Sequence, residues 1–183
     1  MIKKLITGPA LTPVGLSDIK AHLRVNHTDQ DDYIDELLLS AIDQVENITG
    51  RAVMTQTWAV IFDSWSEMTA EKLPLGRLQS VTSIKYNDES GIERTVSSSD
   101  YLVSGIGTDE GKIIIPADSA FTYPDLFEKD PITVTFVCGH ATESAVSSTI
   151  KTAIKLIVDG LYHDADVERA VDAHLMPHRI WSL

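Results

Sequence analysis

The chain has 183 residues, of which 43% are hydrophobic and 23% are charged, a composition typical of a globular protein with one well-formed core. Its 27 acidic and 15 basic residues give a formal net charge of -12. Because wrapping DNA requires clustered lysine and arginine, this balance argues against a nucleic-acid binder. The single cysteine, Cys138, excludes a disulfide framework and a cysteine-based zinc site.

The chain begins MIKKLITGPALTP, in which Gly8 and Pro9 interrupt short apolar runs. Such a stretch is too short and too broken to span a membrane, and it makes a poor signal peptide. We therefore expect synthesis in the cytoplasm and no membrane partner.

A short helix is predicted over residues 17–25. Ser17 is a good N-cap, and Asp18 in the first turn suits the helix dipole. Ile19 and Leu23 stand four residues apart and therefore lie on one face of the helix.

A longer helix is predicted over residues 29–49, with Thr28 or Asp29 as its N-cap and Gly50 ending it. Apolar residues recur at alternating spacings of four and three, which is typical of a helix with one buried face. These residues are Ile34, Leu38, Ala41, Val45 and Ile48.

From residue 56 the hydrophobic period changes from that of a helix to that of a strand. Strands are predicted over residues 57–62, 81–86, 92–96, 101–103, 112–115 and 132–137, with a hairpin turn at 87–91. Short strands at this spacing are typical of an antiparallel sheet or a small barrel.

Helical periodicity returns at residue 145 and predicts a helix over about 146–162, which residues 164–172 continue less clearly. Neither helical segment can bury its apolar face alone, so we expect the N- and C-terminal helices to pack together as one layer. The predicted fold class is α+β, in a single domain over residues 1–183. It has a helical part at 16–54 and 145–175, a β-rich insertion at 56–139 and a C-terminal segment at 176–183.

Motifs that could support catalysis are weak. Ser17 with Lys20, and Ser148 with Lys151, match S-x-x-K but lack the motifs that accompany it in acyl-transfer enzymes. His163, Asp164 and Asp166 could ligate a metal, which leaves a metal-dependent hydrolase as one alternative, but a hydrated helix end is the strongly favoured interpretation. We therefore predict no catalytic, cofactor or metal site, and no enzyme activity.

The order of these parts resembles the head–tail connector (adaptor) family of long-tailed bacteriophages, prophages and gene transfer agents. Residues 18–25, DIKAHLRV, are similar to the family's K-x-H-L-R-V segment, and residues 49–58, TGRAVMTQTW, to its T-G-R…Q-T-W signature. Residues 73–86 resemble its sheet, 132–139 its last strand and 150–162 its C-terminal helix. Two departures are the absence of a proline at Gly76-Arg77-Leu78 and of another at 143–146.

The resemblance implies a structural virion protein at the head–tail interface. Such proteins form rings, commonly of twelve copies, beneath the portal, where the ring extends the DNA channel and offers a platform for the next head-completion (stopper) or tail protein. The implied partners are the portal, that next protein and further copies of the chain, while DNA passes without specific binding; an acidic wall suits this passage. Another tail-completion or stopper protein is an alternative.

The C-terminal segment is a candidate contact with the portal or a neighbouring subunit, with a frayed end as the alternative. It combines apolar and basic side chains on an otherwise acidic chain. The candidate contact residues are Leu175, Arg179, Ile180 and Trp181. Deletion from Pro177 onward is then expected to abolish portal binding and to leave the melting temperature nearly unchanged.

Overall fold

The computed structural model describes residues 1–180, and the chain divides into two compact units. The sheet unit comprises Met1–Pro9 and Thr55–Gly139, and the helical unit comprises Ala10–Met54 and the chain from His140 onward. The sheet unit therefore matches the predicted insertion at 56–139, but it also recruits the start of the chain, which the sequence analysis did not predict. That the two units form a single domain stays a prediction.

The described residues of the sheet unit form a five-stranded sheet, a two-stranded sheet and one helix. In chain order these are β1 Ile2–Thr7, β2 Gln56–Phe62, α3 Trp65–Ala70, β3 Leu78–Asn87, β4 Glu93–Thr95, β5 Leu102–Ser104, β6 Lys112–Ile114 and β7 Ile132–Cys138. The larger sheet has the order β1-β2-β7-β3-β4, every pair being antiparallel, and β5 pairs with β6. Of the two predicted forms, the structure thus has a sheet with two edges, β1 and β4, and not a closed barrel.

Alternation along β7 shows which face of the larger sheet is buried. Ile132, Val134, Phe136 and Cys138 are buried, whereas the residues between them are half-buried. In β2 the residues opposite them continue this face, with Val60 opposite Val134 and both fully buried. A period of two with one apolar face specifies the register, because a slip by one residue would turn every apolar side chain outward.

The helix α3 was not predicted, although its start carries a recognisable signal. Ser64 is the N-cap, and its hydroxyl accepts a hydrogen bond from the backbone N–H of Glu67 at 3.1 Å. The Glu67 carboxylate in turn accepts one from the backbone N–H of Asp63 at 2.8 Å. This near-reciprocal arrangement is a variant of the capping box, which requires a serine followed three residues later by glutamate.

The missing proline at residues 76–78 has a conformational explanation. Leu75, Gly76 and Arg77 have φ angles of +72°, +63° and +38°, which lie in the left-handed region. Proline is fixed near -65°, so neither residue 76 nor residue 77 could be proline in this conformation. The backbone N–H of Arg77 donates to the Asp109 carboxylate at 3.2 Å, which helps to hold the turn.

The described part of the helical unit contains four α-helices: α1 Leu16–Leu23, α2 Asp31–Thr49, α4 Ser148–His163 and α5 Glu168–Leu175. Short 3-10 turns occupy Glu143–Ala145 and Met176–His178. No helix among residues 1–180 is long and apolar enough to cross a membrane. The caps differ from those predicted: Gly15 and not Ser17 precedes α1, and Gln30 and not Thr28 or Asp29 precedes α2.

The prediction that the N- and C-terminal helices share a core is confirmed. Ile34, Leu38 and Val45 of α2 are buried in one cluster with Ile154 and Val158 of α4. Gly50 ends α2 with a φ of +68°, as predicted. Residues 164–172 do not continue α4, because Asp164 takes a left-handed φ of +52° that ends it and allows α5 to start at Glu168.

Truncating a buried side chain of this core should destabilise the helical unit. Leu38→Ala and Ile154→Ala should each lower the free energy of unfolding by about 2–5 kcal/mol, because each leaves a cavity where a side chain is at most 1% exposed. Leu39→Ala is the matched control, since Leu39 is 50% exposed on the same helix. Denaturant titration measures all three, and equal losses for Leu38 and Leu39 would contradict the packing.

The turn between β3 and β4 depends on Asp88. Its Oδ1 accepts hydrogen bonds from the backbone N–H groups of Ser90 and Ile92, each at 3.1 Å, and its Oδ2 accepts one from Arg94 Nε at 2.6 Å. The bond from Arg94, joined by those from the backbone, holds the pKa of the Asp88 carboxyl below its ordinary value of 3.8.

Replacing Arg94 with glutamine should therefore raise the pKa of Asp88 towards its ordinary value. A lowered folded-state pKa stabilises the turn above the unfolded pKa, and this stability is lost as the pH falls through the folded pKa. Carboxyl NMR titration of the wild type and Arg94→Gln measures the shift. Lys85→Gln is the control, because it removes the exposed Lys85–Glu93 ion pair of the same hairpin. If Lys85→Gln raised the pKa of Asp88 as much as Arg94→Gln does, Arg94 would not be the cause of the lowered pKa.

Candidate functional site

The end of the described chain is bound to the helical unit and is not frayed. The backbone N–H of Ile180 donates to the carbonyl of Thr49, the last residue of α2, at 2.8 Å. Arg51 Nε donates to the carbonyl of His178. The His178 ring nitrogen Nε2 lies 2.6 Å from the Thr149 hydroxyl at the start of α4. The segment 176–180 therefore lies across the end of α2 and the beginning of α4.

The four candidate contact residues have different environments. Leu175 is fully buried in the core of the helical unit, so its side chain is not accessible to a partner in this conformation. Arg179 Nη2 lies 2.8 Å from the carboxylate of Asp172 on α5, and its side chain is 31% exposed. Ile180 is half-buried, and Trp181 lies outside the described residues. Of the four candidates, Arg179 and Ile180 are thus the described residues that are partly accessible, and their role in contact stays a prediction.

Beside this segment, the helical unit has an open groove of about 530 Å³. Its lining mixes apolar and charged side chains. The apolar lining includes Ile48, Ile157, Leu161, Val167 and Val171, the acidic lining is Asp164, Asp166, Glu168 and Asp172, and Arg179 also lines the groove. Sequence reasoning missed it because its lining comes from α2, α4 and α5 together.

The residues that suggested a metal site serve as helix ends. His163 Nδ1 lies 3.2 Å from Asp159 Oδ1 one turn earlier on α4, and Asp164 ends that helix. Asp166 Oδ1 accepts a hydrogen bond from the backbone N–H of Glu168 at 3.1 Å, at the start of α5. Among residues 1–180, no group of three metal-ligating side chains is close enough to hold an ion.

The S-x-x-K pairs have structural roles as well. Lys20 forms an ion pair with Asp31 Oδ1, which ties α1 to the first turn of α2. Ser148 and Lys151 lie in the first turn of α4, behind the N-cap Ser147.

The fold is shared with subunits of large virus-like particles. Three solved structures match it, each 18% identical and each covering 100% of this chain and 97% of the other. They are the neck of an empty gene transfer agent particle computed with C6 symmetry (TM-score 0.80), the virion of a native gene transfer agent particle (0.78) and the neck of the native particle computed with C12 symmetry (0.75). This chain therefore has the same fold as the matching chains of those particles.

The family follows from the sequence. The family model described as "Phage gp6-like head-tail connector protein" matches residues 14–117, more than half of the chain. This chain belongs to the family of phage gp6-like head-tail connector proteins, and it is a structural connector. The resemblance noted in the motifs at residues 18–25 and 49–58 is thus confirmed. A comparison with curated protein sequences gives no match.

Removing residues 177–183 should destabilise the helical unit, in contrast to the nearly unchanged melting temperature expected from the sequence. The deletion removes the links to Thr49, Arg51 and Thr149, each worth about 0.5–1.5 kcal/mol, so the free energy of unfolding should fall by about 1–4 kcal/mol. Denaturant titration of the full and shortened chains measures the difference. Equal stabilities would show that these links contribute nothing in solution.

Proposed function

We propose that this connector forms a ring beneath the portal of a phage or gene transfer agent particle. The ring extends the DNA channel and offers a platform for the next head-completion (stopper) or tail protein. The protein acts without catalysis, and its location is the virion, at the head–tail interface. The observation that carries this proposal is the end-to-end fold match, at a TM-score of 0.80, to a subunit of a gene transfer agent neck.

The ring itself is supported by the kind of structure that matches. Two of the matching structures were computed with C6 and C12 symmetry, which are symmetries of closed rings. A ring of identical subunits requires head-to-tail contacts, so each copy must offer two different surfaces. We propose twelve copies in the particle.

The charge of the chain suits a DNA channel. A net charge of -12 repels the phosphate backbone, so DNA can slide past without specific binding. The same charge opposes contact between free copies, because every copy carries the same net negative charge. We therefore propose that the isolated chain is monomeric in dilute, low-salt solution and that the portal acts as the template for the ring.

The C-terminal segment is the proposed contact with the portal or a neighbouring subunit. Its described part is held in place by α2 and α4, so Arg179 and Ile180 are presented from a fixed base. Trp181 follows immediately and is the proposed apolar anchor, because aromatic residues dominate the energy of many interfaces. Leu175 contributes by holding α5 in the core.

Mixing the purified chain with portal rings should produce an added ring on the portal, visible by electron microscopy. The chain alone, at low concentration and low salt, should sediment as a monomer.

Trp181→Ala should weaken portal binding and leave the unfolding free energy unchanged. Met176→Ala is the control, since Met176 is 63% exposed in the same segment. Failure to bind the portal, combined with binding to a tail protein, would instead indicate a tail-completion or stopper protein.

A further inference from the structure

The edge strand β1 is unusually open. All six of its residues are exposed, and among them Ile2, Leu5 and Ile6 are 55%, 46% and 51% exposed. Among the described residues, β1 pairs only with β2, so its other side presents backbone groups that no strand covers. An exposed edge with apolar side chains is a template for pairing with another chain.

The opposite edge of the same sheet is also open. All three residues of β4, Glu93–Thr95, are exposed, and Ile92 just before them is 55% exposed. Within residues 1–180, β4 pairs only with β3. The sheet unit therefore has two different uncovered edges, which is the minimum that head-to-tail assembly requires.

The two edges carry opposite charge on an acidic chain. β1 holds Lys3 and Lys4, whereas the β4 hairpin holds Glu89 and Glu93, all four of them exposed. The hairpin also carries Arg94, which is exposed but pairs with Asp88 of the same turn, so its net charge remains negative. The side chain of Glu93 is 61% exposed and forms an ion pair across the hairpin with Lys85. Lysines on an edge often serve to prevent pairing, but that role leaves the exposed Ile2, Leu5 and Ile6 unexplained.

The strand directions are also compatible. Because each neighbouring pair in β1-β2-β7-β3-β4 is antiparallel, β1 and β4 run in the same direction. Copies related by rotation would bring β4 of one beside β1 of the next as parallel neighbours, and parallel pairing forms regular backbone hydrogen bonds. The result is a sheet that continues from copy to copy.

We propose that the β4 edge of one copy pairs with the β1 edge of the next, with Glu89 and Glu93 facing Lys3 and Lys4. This inference rests on the ring proposed above and names the surfaces that close it. Backbone pairing and the apolar side chains supply the attraction. Exposed ion pairs add little energy, whereas like charges placed opposite each other oppose contact. The charges therefore act mainly by selecting which edges meet.

A charge exchange tests the contact. Lys3→Glu/Lys4→Glu and Glu89→Lys/Glu93→Lys should each raise the concentration needed for ring assembly by roughly tenfold or more, because each places like charges at every joint. Mixing the two variants should restore assembly, since alternating copies then meet with opposite charges. Lys72→Glu/Lys112→Glu makes the same change in net charge as Lys3→Glu/Lys4→Glu, but near α3 and β6, outside both edges, and should impair assembly much less than that variant does. Circular dichroism and thermal melting establish that every variant is folded.

Cross-linking tests the same contact directly, in the full chain at high concentration, at raised salt or on the portal. A Lys4→Cys/Glu93→Cys variant treated with a short bis-maleimide should give a ladder of covalent oligomers, whereas each single variant should not. Dimers from Lys4→Cys alone would indicate pairing of β1 with β1 and overturn the proposal. The proposal would also be overturned if no ladder formed, if the charge variants assembled like the wild type, or if mixing the two variants failed to restore assembly.

Portal binding by the wild-type chain is a separate readout, so the two proposals can fail independently. Rings on the portal that form equally well with every edge variant would overturn the edge contact and leave the proposed function standing. A ladder without any portal binding would support the edge contact and overturn the role beneath the portal.

Discussion

The apolar faces of α2 and α4 are buried against each other in a core that α1 and α5 complete, and the path of the chain depends on this contact. Each helix is amphipathic, and Leu38 and Ile154 are almost completely removed from water in their shared core. A single amphipathic helix of this length is marginal in water, so tertiary packing must supply its stability. Because the whole stretch from Thr55 to Gly139 separates the two helices in the chain, the polypeptide must leave the helical unit, form the sheet and return.

Strong periodicity allowed much of this fold to be predicted from the sequence. The stripe through Ile34, Leu38 and Val45 determines α2, and the alternation of Ile132, Val134 and Phe136 determines β7. Both signals arise because a buried face repeats with the period of its backbone. Packing of the terminal helices follows, since neither apolar face has another partner of comparable size among the predicted elements.

Elements too exposed or too short to show a periodic apolar pattern were missed for the same reason. In β1 no residue is buried, so its sequence carries no period-two pattern, and its place in the sheet is decided by backbone pairing with β2. The helix α3 is only six residues long, too short for a periodic pattern, and its capping residues Ser64 and Glu67 were its one strong local signal. The groove at Arg179 could not be predicted, because distant segments form it only after folding.

A fold can persist at 18% identity because buried positions need only an apolar side chain of suitable size, whereas exposed positions are free to change. Function in a connector depends on those exposed positions, since subunits and partners meet there. In this chain, the exposed edges of the sheet and the surface formed by Arg179 and Ile180 are built on rigid elements, β2 and β3 in one unit and α2 and α4 in the other. An interface on such supports loses little conformational entropy on binding, which lets weak individual contacts add up when many copies assemble on one template.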